Sequence, residues 1–319
     1  MKQQGTRLED LPNEILVEVF QYFDARDLFQ AFYLLNQRFN HLLQSLRYLC
    51  LTLQFNNNDQ SSIHELLFPR IYTLKLGTGK NIPLDQFIHL HRLILLSPTS
   101  KQFLELFTTS LANLEHLSIA DEHYLYSSYI HDLSKKIFSS RDFPRLKSCY
   151  LFEQKFLALL PTFTTSNDLR ILKINLIDLQ IYQAILSLCP QLEFLQFTIN
   201  DEQITCEQIQ SHDKLQRMTI KFPNFQERSA ENLIGSYLFA VPRLLQLNIY
   251  EMNFDENIEI YLQSNWFSSI IDRSLRQLER FQYILSIYGL TEEMNSILQR
   301  KFHCIHSNHS QSRRLVLKK

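Results

Sequence analysis

Leu146-Lys-Ser-Cys149-Tyr-Leu151, Leu169-Arg-Ile-Leu172-Lys-Ile174, Leu192-Glu-Phe-Leu195-Gln-Phe197 and Leu215-Gln-Arg-Met218-Thr-Ile220 follow one another at steps of 23 residues. Each has an apolar residue at its first, fourth and sixth positions, and the last two alternate as in a half-buried strand. Outward from this block the pattern also begins at Ile71, Leu90, Leu114 and Leu244, with other steps of 19, 24, 32 and 29 residues, and an earlier copy starts at Leu46. Four instances share a lead-in: Pro69-Arg-Ile, Pro144-Arg-Leu, Pro190-Gln-Leu and Pro242-Arg-Leu. Proline stops a preceding helix and favours an extended chain before it. Between the strands, Ile181, Ile185 and Leu188 form one helical stripe, and Leu233, Tyr237 and Val241 another. A strand and a helix cannot bury both faces alone, so neighbouring units must stack into a shared core.

Together these motifs resemble the leucine-rich-repeat solenoid. The resemblance implies an α/β solenoid. It also implies an irregular horseshoe, because the family's Asn, three residues after the last leucine, occurs only as Asn200. A compact all-β or α/β fold remains the alternative reading of the same spacing. The expected organisation is a small all-α module over 5–48, the repeats over 49–252, a helical C-terminal cap over 253–302 and a mobile basic tail over 303–319. Trp266, Ile270, Leu275 and Leu278 carry the cap, because an open-ended solenoid core has to be closed.

The N-terminal module reads from Leu8-Glu-Asp-Leu-Pro-Asn-Glu-Ile-Leu-Val-Glu-Val-Phe-Gln-Tyr-Phe23. Pro12 suits the first turn of a helix. Asp10 can cap it, and Glu14 and Glu18 favour its early turns. Ile15, Leu16, Val19, Phe20 and Phe23 give one apolar stripe. Asp24 to Asp27 breaks that stripe and supplies a new cap, after which Leu28, Phe32, Leu35, Phe39 and Leu42 give a second. Leu11-Pro12-x-Glu14-Ile15, Phe20, Phe23, Asp27-Leu28, Leu35 and Phe39 together resemble an F-box, with Phe where the family usually carries Trp and Asn36 where it often has Cys or Ser. The resemblance implies docking onto a Skp-type adaptor that bridges to a cullin and a RING subunit. It assigns the adaptor contacts to Leu11, Pro12, Ile15, Leu16, Phe20, Phe23, Leu28, Leu35 and Phe39.

Composition narrows the function classes. The chain of 319 residues is 45% hydrophobic and 20% charged with a net charge of −1, which fits a folded protein without a general pull on nucleic acid or anionic membrane. No apolar run has the length of a membrane span, and Met1-Lys-Gln-Gln-Gly-Thr-Arg lacks a signal-peptide core. Cys50, Cys149, Cys189, Cys206 and Cys304 are scattered, as reduced thiols in the cytoplasm or nucleus would be.

In each strand the leucines point to the core and their neighbours to the opposite face. On that face stand Lys75, Arg92, Lys173, Arg217 and Lys221 with His116, joined by Tyr150, Phe152, Phe194 and Tyr250, and no Asp or Glu. Basic and aromatic side chains are frequent anchors of binding surfaces. The expected ligand is a protein segment that is acidic or phosphorylated, against a bland alternative in which the lysines only keep the sheet soluble.

Catalytic chemistry is not expected. Gly77-Thr-Gly-Lys80 lacks the spacing and the Ser/Thr of a phosphate loop and reads as a turn. His303-Cys304, His306 and His309 have no second cluster to complete a metal site. Asp121-Glu122 and Asp201-Glu202 have no paired His or nucleophile. No cofactor is implied. The expected function is a non-catalytic substrate receptor of a Skp-cullin-F-box ubiquitin ligase, with a repeat scaffold outside any ligase as the alternative.

Overall fold

Aliphatic triplets become parallel strands wherever the leucine pattern recurs. The structure, a computed structural model, describes residues 7–53, 65–78, 82–120, 142–152, 168–199, 211–222, 230–253, 274–288, 303–305 and 312–318, with 133, 135–138 and 165 between them. The chain divides into two units, the first comprising Met1–His123 with Asp142–Leu146, the second Tyr124–Arg141 with Lys147–Lys319.

The first unit opens with three helices, α1 (Asn13–Phe20), α2 (Ala25–Phe32) and α3 (Gln37–Ser45). Phe20, Phe32 and Phe39 meet in their shared core, with ring centroids 4.8, 6.2 and 5.1 Å apart. The second apolar stripe, expected to be one helix, is split between α2 and α3. Leu34 takes a left-handed φ of 64° and its N–H donates to Asn40 Oδ1. Asn36 caps α3, its Oδ1 accepting from the Phe39 N–H at 2.9 Å. A side chain that satisfies a free helical amide favours starting a helix over continuing one. Asp10 does not cap α1. It closes a short 3-10 turn over Leu8–Asp10, accepting from the Arg7 N–H, and α1 begins after Pro12.

After Leu46, which is buried, the chain enters β1 (Leu49–Leu53), followed by β2 (Ile71–Leu76), β3 (Arg92–Leu96) and β4 (His116–Ala120). Each pairs parallel with the next. A helix, α4 (Ser100–Thr108), buries Phe103 and Leu106; Thr99 and Gln102 form its capping box. Gln102 also donates its side-chain amide to the Gly77 carbonyl at the end of β2. Gly77 thus ends a strand, in keeping with the turn expected there.

β1 is an end strand of the sheet, and the loop before α2 covers its outer edge. Asp24 caps α2 through the Arg26 N–H and also accepts the Thr52 N–H at 2.6 Å, while Arg26 donates to the Thr52 carbonyl at 3.1 Å. One backbone residue of the edge strand is therefore satisfied twice by the helical module. Asp24→Ala removes the cap, worth about 1 kcal/mol, and strands a partly buried amide for about 1–3 kcal/mol more. A loss of about 2–3 kcal/mol is expected in the urea transition of this unit, whereas Asp27→Ala on the exposed side should be close to neutral.

The second unit continues with β5 (Ser148–Phe152), β6 (Ile171–Ile174), β7 (Phe194–Thr198), β8 (Arg217–Phe222), β9 (Gln246–Asn253) and β10 (Arg280–Tyr288), again all parallel. Among the described residues two helices lie between them, α5 (Leu179–Leu188) and α6 (Ala230–Phe239). Tyr182 of α5 is fully buried, packs edge-on against Tyr237 and donates its hydroxyl to the Tyr237 carbonyl at 2.8 Å. Burial keeps that phenol protonated, well above its ordinary range. Tyr182→Phe removes that hydrogen bond from the core and should cost about 1 kcal/mol in denaturant; Tyr182→Ala, which also opens a cavity, about 3–5 kcal/mol.

The helical cap and mobile tail give way to strands in the described residues. β10 occupies 280–288, β11 (His303–Ile305) and β12 (Ser312–Lys318) follow, and β12 runs antiparallel to both. Leu278-Glu-Arg-Phe281-Gln-Tyr283 repeats the apolar spacing with aromatic residues, which suit strands as well as leucine does. Leu275 is buried in the turn before it, and Trp266 and Ile270 lie outside the described residues.

All 24 pattern positions (three in each of eight instances, 3 × 8) are at most 5% exposed, so the triplets form the core. The steps are joined by the main chain. In six of the eight patterns the carbonyl one residue in accepts two N–H groups from the next strand's start: His91 from Glu115 and His116, Lys147 from Arg170 and Ile171, Arg170 from Glu193 and Phe194. Glu193, Gln216 and Leu245 do the same, the last reaching Glu279 and Arg280. β10 therefore joins by the same device as the strands before it. In the turn before Leu215, His212 satisfies the main chain: its ring accepts the Leu215 N–H and hydrogen-bonds the Cys189 carbonyl at 2.9 Å. Asn200 lies outside the described residues.

Candidate functional site

The helical module exposes more apolar surface than its own fold uses. Of the nine residues assigned to adaptor docking, Leu16, Phe20, Leu28 and Phe39 are at most 1% exposed and hold the three helices together. Leu11 is half-buried, and Pro12, Ile15, Phe23 and Leu35 are exposed. Leu8, Val19, Tyr22 and Leu34 join the exposed set, with Tyr22 at 85% and Leu34 at 73%. The signal for Tyr22 is its spacing: Ile15 and Val19 on α1 and Tyr22 in the turn just after it recur at four and three residues. Leu34 could not be read that way, since its position follows from the turn between α2 and α3.

This surface lies on the stretch for which a family is found. The family model of the F-box domain matches residues 8–50.

The chain carries an F-box domain.

F-box domains in general bind a Skp-type adaptor, and F-box proteins are typically non-catalytic subunits of Skp-cullin-F-box ubiquitin ligases. No curated protein matches the chain. The match thus covers the first three helices and the start of β1, and the exposed apolar residues of α1 lie within it.

The second candidate surface is the sheet face opposite the buried leucines. The nine residues expected there fall into both units: Lys75 and Arg92 in the first, Tyr150, Phe152, Lys173, Phe194, Arg217, Lys221 and Tyr250 in the second. The Phe152 side chain lies outside the described ones. In the first unit Arg92 is exposed and pairs in register with Thr73 and His116, and His116 is buried at 9% exposure.

In the second unit the register brings the expected residues together. Tyr150 is opposite Lys173, Phe194 opposite Arg217, and Lys221 opposite Tyr250. Lys173 Nζ sits 4.4 Å from the Tyr150 ring centre and 5.7 Å from that of Phe194; Arg217 Cζ lies 5.4 Å from the same Phe194 ring. Tyrosine, lysine, phenylalanine and arginine therefore alternate across four neighbouring strands. Partial burial and then the nearby Lys221 lower the Lys173 ammonium from its ordinary value, while the two rings favour its charged form. The outward positions between are neutral, among them Gln196, Thr198, Thr219 and Asn248, and no described outward position of β5–β9 is acidic. Such a surface gains from an anion placed across it.

Nothing described resembles a reaction centre. Among the described residues no group of three His, Cys, Asp or Glu is placed to hold a metal. His306 and His309 lie outside them, as do Lys80, Asp121, Glu122, Asp201 and Glu202. Cys149 and Cys189 are buried, and burial pushes both thiols well above their ordinary range, so neither is a ready thiolate. No described helix is long and apolar enough to cross a membrane.

Proposed function

We propose that this protein is the substrate-recognition subunit of a Skp-cullin-F-box ubiquitin ligase, acting without catalysis of its own in the cytoplasm or nucleus. The single observation that carries the reading is an F-box domain that runs directly, through Leu46, into the first of a series of parallel strands. The sheet is read as an irregular leucine-rich-repeat solenoid, supported by the buried triplets and the recurring two-amide carbonyls. The Skp-type adaptor packs on Leu11, Pro12, Ile15, Val19, Tyr22, Phe23, Leu34 and Leu35, and the cullin joins through the adaptor.

The target docks on the second unit's face. Its class is an acidic or phosphorylated segment of a protein, with Lys173, Arg217 and Lys221 as cations and Tyr150, Phe194 and Tyr250 as apolar supports. Holding target and ligase in one assembly raises the effective concentration of the target's lysines at the transfer site. The test is co-purification: tagged chain from cell extract should bring down both adaptor and cullin. Adaptor without cullin favours the alternative, a repeat scaffold outside any ligase, and neither partner overturns the receptor reading.

A further inference from the structure

The segment Leu8–Pro12 sits at the start of the exposed apolar surface, yet it has little to hold it. None of Leu8–Asp10 is buried, Pro12 is exposed and Leu11 is only half-buried. A stretch with no buried anchor ordinarily moves. Here one side chain holds it. The Arg38 guanidinium on α3 donates from three nitrogens: Nε to Asn13 Oδ1 at 2.8 Å, Nη1 to the Glu9 carbonyl and Nη2 to the Leu11 carbonyl. These three acceptors span the 3-10 turn, the residue before Pro12 and the first residue of α1.

We infer that Arg38 is a positioning residue for adaptor docking, fixing the Leu8–Pro12 segment in its binding shape before the partner arrives. The inference rests on the receptor reading above and adds a residue that reading does not use. The physical reason is entropic. Ordering a free segment at the moment of binding subtracts from affinity, and a segment ordered beforehand has already lost that freedom. Planarity matters as well: five donors in a fixed fork can reach three acceptors in different directions, which one ammonium cannot do. Lysine keeps the charge at this position and loses the geometry.

The experiment uses the full chain and a purified Skp-type adaptor, with wild type, Arg38→Met, Arg38→Lys, Leu11→Ala and the Leu11→Ala/Arg38→Met pair. Affinity and association rate are measured by surface plasmon resonance, and hydrogen exchange is followed at the Asp10 and Leu11 amides, which close the 3-10 turn. Arg38→Met should weaken adaptor binding at least tenfold, mainly through slower association, and speed exchange at those two amides at least tenfold. Arg38→Lys should recover only a minor part of both. The double variant should bind no more than about threefold worse than the weaker single, because both changes act through one segment.

Multiplied losses in the double variant, or unchanged exchange in Arg38→Met, would overturn the positioning role. So would a loss that disappears in high salt, since that marks direct charge contact with the adaptor. Wild type that fails to bind the adaptor overturns the receptor reading itself. Wild type that binds while Arg38→Met binds equally well overturns this inference alone.

Discussion

Ile15→Asp combined with Phe23→Asp is expected to abolish adaptor capture, a loss of at least a hundredfold, while leaving the thermal transition within a few degrees. Both residues are exposed in the free chain, at 43% and 47%, so charge there costs the fold little. In the complex the same carboxylates would be sealed against an apolar partner without a counter-ion. Burying an unpaired charge is among the most costly changes an interface can suffer. The control is Phe20→Ala. Phe20 is 1% exposed and packs on Phe32 and Phe39, so its truncation should cost about 3–5 kcal/mol of stability. Binding would then be lost through unfolding of the module, visible as a lower melting temperature. Circular dichroism beside a titration of adaptor separates the two. Equal affinity for the double Asp variant and wild type would remove the apolar stripe of α1 from the adaptor contact.

Arg217→Glu with Lys221→Glu is the second large effect. It reverses two of the three cations on the second unit's face and turns a local charge of about +3 into about −1. An acidic or phosphorylated segment would then meet repulsion where it had attraction, and capture should fall at least a hundredfold. Arg217 is exposed and Lys221 half-exposed, so the sheet itself should tolerate the change. Adaptor binding serves as the internal control and should be unaltered. A milder variant, Phe194→Leu, keeps the charge and removes the ring between Lys173 and Arg217; a drop of about threefold to tenfold would show the ring's part in orienting them. If the double reversal leaves target capture intact, the target docks elsewhere.

The core of both units was legible because it depends on one rule, an apolar residue at every second position of a strand. Leu172 and Ile174 obey it, and the structure buries both. The strand at 280–288 carries Phe281 and Tyr283 where the others carry leucines, so the aliphatic triplet that marks them is absent from it. The split between α2 and α3 was hidden for another reason. Leu28, Phe32, Leu35 and Phe39 fit a continuous helical period, and only Asn36 hinted that a cap would interrupt it. The exposed stripe Ile15–Val19–Tyr22 could be read as spacing but not as exposure. Whether Phe20 or Ile15 faces inward depends on how three helices pack, which local pattern does not determine. Arg38 left no trace at all, since its partners are two carbonyls and an Asn 25 residues earlier.

The successive strands are joined through carbonyls such as those of Lys147, Arg170 and Glu193, and main-chain groups are the same whatever side chain accompanies them. The frame therefore needs only its aliphatic triplets, and the positions between them are left out of the folding problem. A library randomised at Tyr150, Lys173, Gln196, Phe194 and Arg217 should yield mostly well-folded members that differ in what they hold. In engineering terms, the reading head can be exchanged without redesigning the chassis, and one frame could serve many targets.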